Sequence, residues 1–336
     1  MFRPLSFGAR HSRRATCSLL IASIATLLAP YALRAAETDC LVRDPSTMVK
    51  RDGTYWLYGT GRGVRQFSST DRLHWTDRGP VFAVRPAWIA QAVSANKHNN
   101  AWAPDIHYFG GYYYLYYSYS SFGSGTSAIG VATNRTLNPR DWVDRGVVIQ
   151  SPTPEGFNTI DPCIFTDMKG QPWMSFGSYF SGIYLVKIDP ETGKPPVGDN
   201  ALIKIASHPT SSINDIEASA IIPHNGWYYL FINWGSCCVG EKSTYYIRMG
   251  RSKNIAGPYL DKDGKDLKDS GGTEFLPNHK ADGTEVGPGH VGVLFDKDGD
   301  WLTTHYEWAK DKSGATTVNL DKLTWDSDGW PRVAAP

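Results

Sequence analysis

The chain has 336 residues, 41% of them hydrophobic and 20% charged, with a formal net charge of +1. That is too apolar for a disordered chain, and the balanced charge excludes the basic excess that a nucleic-acid or anionic-membrane surface requires. Aromatic residues make up 13% of the chain, and 33 Gly and 21 Pro favour short strands and many turns over long helices.

The first 36 residues read as a segment apart from the fold. Met1 to Ala36 carries five arginines and no acid, and 15–33 is uncharged. A basic start, an apolar run and the small residues Ala35 and Ala36 before Glu37 have the pattern of a secretory signal. Residues 1–36 are therefore expected to be removed, leaving one domain over 37–336. The alternative is an uncleaved anchor, because the run is just long enough to span a bilayer. Pro30 and the Ser and Thr residues within the run favour cleavage, and the Arg13-Arg14 pair leaves the export route open. Without the signal, 29 basic residues face 33 acidic ones, and no other segment could cross a membrane. A secreted or periplasmic monomer is expected, with no nucleic-acid partner and no membrane association after cleavage.

Export sets the reading of the cysteines. Cys40, Cys163, Cys237 and Cys238 remain after cleavage, too few for a disulfide scaffold and without metal-ligand spacing. Cys237 and Cys238 are adjacent, and one peptide holds their Cα atoms about 3.8 Å apart. Either a vicinal disulfide or two buried thiols is compatible with that.

From Asp52 onward the chain repeats. Five segments share a polar turn at Gly followed by an aromatic-rich run: Asp52-Gly53, Gly110-Gly111, Lys169-Gly170, Asn225-Gly226 and Asp298-Gly299. Successive glycines are 58, 59, 56 and 73 residues apart. Each turn reads as a hairpin between two strands, and no amphipathic helix of normal length intervenes. Five β units of nearly sixty residues predict an all-β fold, a five-bladed β-propeller.

In a propeller the innermost strand of each blade lines the central channel, so equivalent positions meet around one axis. Nine residues before each glycine stand Asp44, Trp102, Asp161, Glu217 and His290. Each has a bland explanation taken singly. Asp44-Pro45 and Asp161-Pro162 suit Asx-turns, Glu217 an edge charge, His290 a turn histidine and Trp102 the core. Their shared register across five repeats favours one functional ring. Three carboxylates in one channel raise one another's pKa, which separates a proton donor from an acceptor, as hydrolysis of a glycosidic bond requires. Trp102 would offer a face on which a sugar ring stacks. No Gly-x-Ser-x-Gly motif or phosphate-binding loop is present, which argues against a serine hydrolase or a nucleotide enzyme.

The ordered motifs ArgAspProSer (43–46), TrpAlaProAspIle (102–106), SerAlaIleGlyValAlaThr (127–133), IleAspPro (160–162), IleGluAlaSer (216–219), Cys237-Cys238 with SerThrTyr (243–245), GlyArgSer-x-x-Ile-x-GlyProTyr (250–259) and GlyProGlyHis (287–290) resemble glycoside hydrolase family 43, nearest its endo-1,5-α-L-arabinanases. The likeness runs from about Cys40 to Trp330. It implies a five-bladed propeller and inversion, with Asp44 as general base, Glu217 as general acid and Asp161 tuning the acid. It also implies a metal on the axis beside His290. Calcium prefers oxygen ligands, so one imidazole among waters predicts a weak, hydrated Ca2+ site and no organic cofactor. Inversion needs room for a water, hence carboxyls about 6.5–9.5 Å apart. Phe122 and Phe180, on predicted loops, are either subsite walls or core.

The expected substrate is arabinan, found as side chains of pectin. An exo-acting arabinofuranosidase or β-xylosidase of the same fold, or a non-catalytic sugar-binding propeller, are the alternatives. The presence of all three acids counts against the last.

Overall fold

A computed structural model describes residues 1–2, 36–151 and 156–334. The chain divides into two compact units, Met1–Ala32 and Leu33–Pro336, and the propeller belongs wholly to the second. Of the expected signal segment, residues 3–35 lie outside the described residues. Among the described residues no helix is long and apolar enough to cross a membrane.

The strands form five antiparallel sheets, and in four of them the strands follow their order in the chain from the axis outward. Blade 1 runs through Val49–Arg51, Thr54–Gly59, Arg65–Ser69 and Thr76–Pro80; blade 2 through Asn100–Phe109, Tyr112–Tyr119, Ala128–Asn134 and Val143–Gln150. Blade 3 comprises Cys163–Thr166, Pro172–Phe176, Ile183–Lys187 and Ile203–Ala206, and blade 4 Ile216–His224, Trp227–Trp234, Tyr246–Ser252 and Thr273–Leu276. Blade 5 has Glu285–Asp296, Gly299–Ala309 and Thr317–Trp325, and its fourth strand is Ala36–Glu37 from the other end of the chain. Ala36 pairs with Leu320 and Glu37 with Asn319, so the N-terminal segment closes the ring on the last blade. The five-bladed, all-β expectation is met. Blade 2 adds the short strand Gly61–Arg62 at its inner edge, and blade 5 adds Pro331–Val333.

The aromatic runs explain the architecture. In blade 2 the second strand, Tyr112–Tyr119, is buried from Tyr113 onward on both faces. A strand sandwiched between two neighbouring blades shows no polar alternation, as in any sheet covered on both sides. Each fully buried ring contributes roughly 1.5–3 kcal/mol relative to exposure. The core therefore lies between blades: Phe109, Tyr114, Ile129, Ile164, Met174 and Phe176 join blades 2 and 3, while Val42, Leu57, Phe67 and Val318 join blades 1 and 5. Outer strands such as Val143–Gln150 alternate between half-buried and exposed residues along much of their length.

The hairpins depart in detail from the repeat read in the sequence. Asp52-Gly53, Gly110-Gly111 and Asn225-Gly226 are two-residue turns. In blade 5 the turn residues are Lys297-Asp298, and Gly299 already pairs with Asp296. Asp44 and Asp161 precede the first strands of their blades, whereas Trp102, Glu217 and His290 lie within theirs. The expectation that all five sit on innermost strands thus fails for two of them. Both are followed by proline, which has no N–H to give to a ladder.

Candidate active site

The channel end of each blade carries one non-glycine residue in the left-handed backbone region: Asp44, Ala103, Asp161, Ala218 and His290, with φ between 40° and 57°. Such residues are uncommon and gather where side chains or amides must be aimed. In blades 2, 4 and 5 the pairing register slips at this point, as a β-bulge produces. Asp44, Asp161 and His290 occupy the left-handed position itself, and Trp102 and Glu217 stand one residue before it.

A second ring supports the first. Seven residues beyond the last turn residue stand Thr60, just after the second strand of blade 1, and Ser118, Asn233 and His305, within the second strands of blades 2, 4 and 5. The N–H of Ala103 donates to Thr60 Oγ1 (2.8 Å), that of Asp161 to Ser118 Oγ (3.1 Å) and that of Asp44 to His305 Nδ1 (3.3 Å). Asn233 Nδ2 donates to the carbonyl of Pro288 (2.8 Å). Blade 3 has Gly177 at this position, and there Asp161 itself accepts from the Ala218 N–H (3.2 Å). Blade by blade, side chains of one unit satisfy the bulged backbone of the next.

The structure brings the sequence-predicted acids together with His290. His290 Nδ1 lies 3.3 Å from Asp44 Oδ1, and Thr60 Oγ1 donates to Asp44 Oδ2. Burial opposes ionisation of Asp44, but the hydrogen bond and charge of His290 and the Thr60 bond outweigh it and hold its pKa well below the usual carboxylate range. Glu217 goes the other way. Burial, then the negative charge of Asp161, raise its pKa, against hydrogen bonds from Ser178 (2.7 Å) and Tyr245. Burial and the charge of Asp44 likewise raise Asp161, partly offset by His290 and the Ala218 N–H. Burial lowers the pKa of His290, yet its contact with Asp44 and the three carboxylate charges push it up to about 9. One carboxylate is thereby kept ionised and another protonated near neutrality, the division that acid–base catalysis needs.

Trp102 is half-buried, one residue from the Ala103 amide that reaches Thr60. Phe122 and Phe180 are 82% and 40% exposed, so neither is core. Both lie on loops leaving the second strands of blades 2 and 3, at the end that carries the catalytic ring. Asn214 Nδ2 holds the second loop by donating to the Phe180 carbonyl (2.8 Å). Cys237 and Cys238 form a vicinal disulfide, and Cys40 and Cys163 are buried thiols.

Sequence reasoning missed Thr60, Ser178, Tyr245, His305 and Glu307. Thr60 was accessible by reading the repeat forward seven residues from the turn glycine as well as backward nine, whereas the same count from Gly299 lands on Tyr306, one residue past His305. Ser178 and Tyr245 carry no such signal, because they come from loops outside the repeat. Gly289 leaves room for two of them: a Cβ there would lie 2.4 Å from the Tyr245 ring and 2.9 Å from His305.

Comparison with known proteins agrees with this geometry. The profile of glycosyl hydrolases family 43 matches residues 39–331. An extracellular exo-α-(1→5)-L-arabinofuranosidase of Cellvibrio japonicus is 38% identical, over 93% of this chain and 91% of its own. An extracellular endo-α-(1→5)-L-arabinanase of Bacillus subtilis is 40% identical over 87% of each. The solved structure of a family 43 endo-arabinanase from Bacillus licheniformis superposes with a TM-score of 0.81 at 40% identity, covering 89% of this chain and 99% of that one. With the match running from the first blade to the last, the chain belongs to glycosyl hydrolase family 43 and is a glycosidase.

Proposed function

We propose that the protein is an exported hydrolase that cleaves α-1,5-linked L-arabinan internally and with inversion. The observation that carries the reading is the electrostatic split between Asp44 and Glu217 within one buried cluster. Asp44, ionised, takes a proton from the attacking water, and Glu217, protonated, delivers one to the leaving oxygen. Asp161 keeps Glu217 protonated by its charge. Trp102, Phe122 and Phe180 offer faces for neighbouring sugar rings. The names of the two relatives support arabinan as substrate and an extracellular location, as does the pattern of residues 1–36. The Cellvibrio relative also favours a second reading, exo action on the same polymer.

The residues fit a hydrated cation. His290 Nδ1 is buried and has only the Asp44 carboxylate, 3.3 Å away, beside it; an ion that keeps most of its water would take the place of the proton on that nitrogen. His290 would hold Ca2+ there, and the ion would supply positive charge favouring ionised Asp44. Because it would bind only the native state, excess chelator should lower the melting temperature. An unchanged melting temperature, with no metal found by elemental analysis, would remove this role from His290.

The function is tested by digesting linear arabinan and arabinoxylan and resolving the products by length over time. Endo action predicts a spread of arabinan fragments within the first few per cent of conversion and no cleavage of arabinoxylan. One short product from the outset would establish the exo reading, and release of xylose would overturn the substrate assignment.

A further inference from the structure

His305 and Glu307 are buried, 0% and 2% exposed, and neither is accounted for by the acid–base pair. They form the middle of a bonded line that crosses three blades. The Asp44 N–H donates to His305 Nδ1 (3.3 Å), which leaves the ring proton on Nε2, facing Glu307 Oε1 at 3.2 Å. The other oxygen, Glu307 Oε2, accepts from Arg43 Nη2 (2.7 Å) and from the Cys238 N–H (3.1 Å). Arg43 Nη1 in turn donates to Cys238 Sγ (2.8 Å). Cys238 is held at φ 71°, in the left-handed region that non-glycine residues seldom occupy. The stabilisation a disulfide gives by restricting the unfolded chain grows with the loop it closes. A bridge between adjacent residues closes the smallest loop there is, so global stability does not explain it. Its visible consequence is local: it fixes the conformation from which the Cys238 amide meets Glu307.

We propose that His305 and Glu307 are positioning residues for the Asp44 carboxylate, and that the Cys237–Cys238 disulfide with Arg43 anchors the outer end of their line. The proposal rests on the reading of Asp44 as general base. The left-handed backbone at Asp44 is aimed by His305, His305 is aimed by Glu307, and Glu307 is clamped between Arg43 and the Cys238 amide. No part of the line needs to touch substrate.

The test compares kcat, KM and melting temperature for His305→Ala, His305→Asn, Glu307→Gln and the double variant Cys237→Ser/Cys238→Ser, with Asp44→Asn as reference. A displacement of about 1 Å at a reacting group costs on the order of 10²-fold in rate. His305→Ala should lose about that much kcat with KM within about twofold. His305→Asn, whose Oδ1 can again accept the Asp44 N–H, should recover about tenfold of the loss. Glu307→Gln, which keeps its shape but cannot serve all its donors, should fall between the two. The double cysteine variant should lose severalfold in kcat with little change in melting temperature. It lies at the surface and so remains informative if His305→Ala fails to fold. Normal kcat in the Glu307 and cysteine variants, with Asp44→Asn inactive, would overturn the proposal while leaving the base assignment intact. An active Asp44→Asn would overturn the base assignment itself.

Discussion

Asp161 acts on Glu217 in two ways. Its charge adds to burial in raising the acid's pKa, and its Oδ2 accepts the amide of Ala218, the next residue in the chain. The pH dependence follows with a definite sign. In the proposed mechanism Glu217 works while protonated, so the alkaline limb of kcat/KM should report its raised pKa. Asp161→Asn removes the charge, lowers that pKa and should move the alkaline limb to lower pH. A profile of the variant across pH 5–9 checks this. An unmoved limb with reduced kcat would assign Asp161 to geometry alone. The three acids were legible in the sequence because all fall nine residues before a turn glycine, one per blade. Their crowding implied unequal ionisation, but the repeat could not show which acid stays charged, because that depends on His290, Thr60, Ser178 and Tyr245, which reach them only in the folded ring.

At the scale of the strand, Asp105 shows how inner strands are held in a common register. It lies in the first strand of blade 2, 6% exposed. Its Oδ1 accepts the Thr47 N–H of blade 1 (2.8 Å) and its Oδ2 the Ile164 N–H of blade 3 (2.9 Å). One carboxylate thus ties three neighbouring blades a few residues from the catalytic ring. Asp105→Ala leaves two buried amides unpaired, at about 1–3 kcal/mol each, partly offset by removing a buried charge. A net loss of about 2–4 kcal/mol is expected from denaturant midpoints. Asp105→Asn, which retains one acceptor, should lose about half of that. Wild-type midpoints in both variants would show that the inner strands register without this tie. Asp105 was inside a motif noted in the sequence, yet nothing in a linear reading distinguishes a carboxylate that staples backbone from one that does chemistry. The discriminator is its pair of amide partners, each more than fifty residues away.

For the molecule as a whole, the sixty-residue period carried nearly all of the fold, since a repeat of hairpins with doubly buried second strands leaves few architectures open. Two features escaped it. The pairing of Ala36–Glu37 with the last blade joins distant ends of the chain, and the period contains no trace of that contact. The register slips by one residue at the bulges of blades 2, 4 and 5, and a fixed count back from the turn glycine lands on Trp102 and Glu217, one residue before the left-handed position, in blades 2 and 4 but on His290 itself in blade 5. In the proposed mechanism the propeller's contribution is to bring acids from blades 1, 3 and 4 into one cluster where their pKa values are driven apart. That claim is tested most directly by turnover of Asp44→Asn and Glu217→Gln on linear arabinan and on an aryl arabinoside with an activated phenolate leaving group. Both variants should be crippled on the polymer. On the aryl substrate Glu217→Gln should keep most of its turnover, because the phenolate leaves without a proton, while Asp44→Asn stays crippled for want of an activated water. Equal losses for the two variants on the aryl substrate would contradict the assignment of Glu217 as the acid and Asp44 as the base.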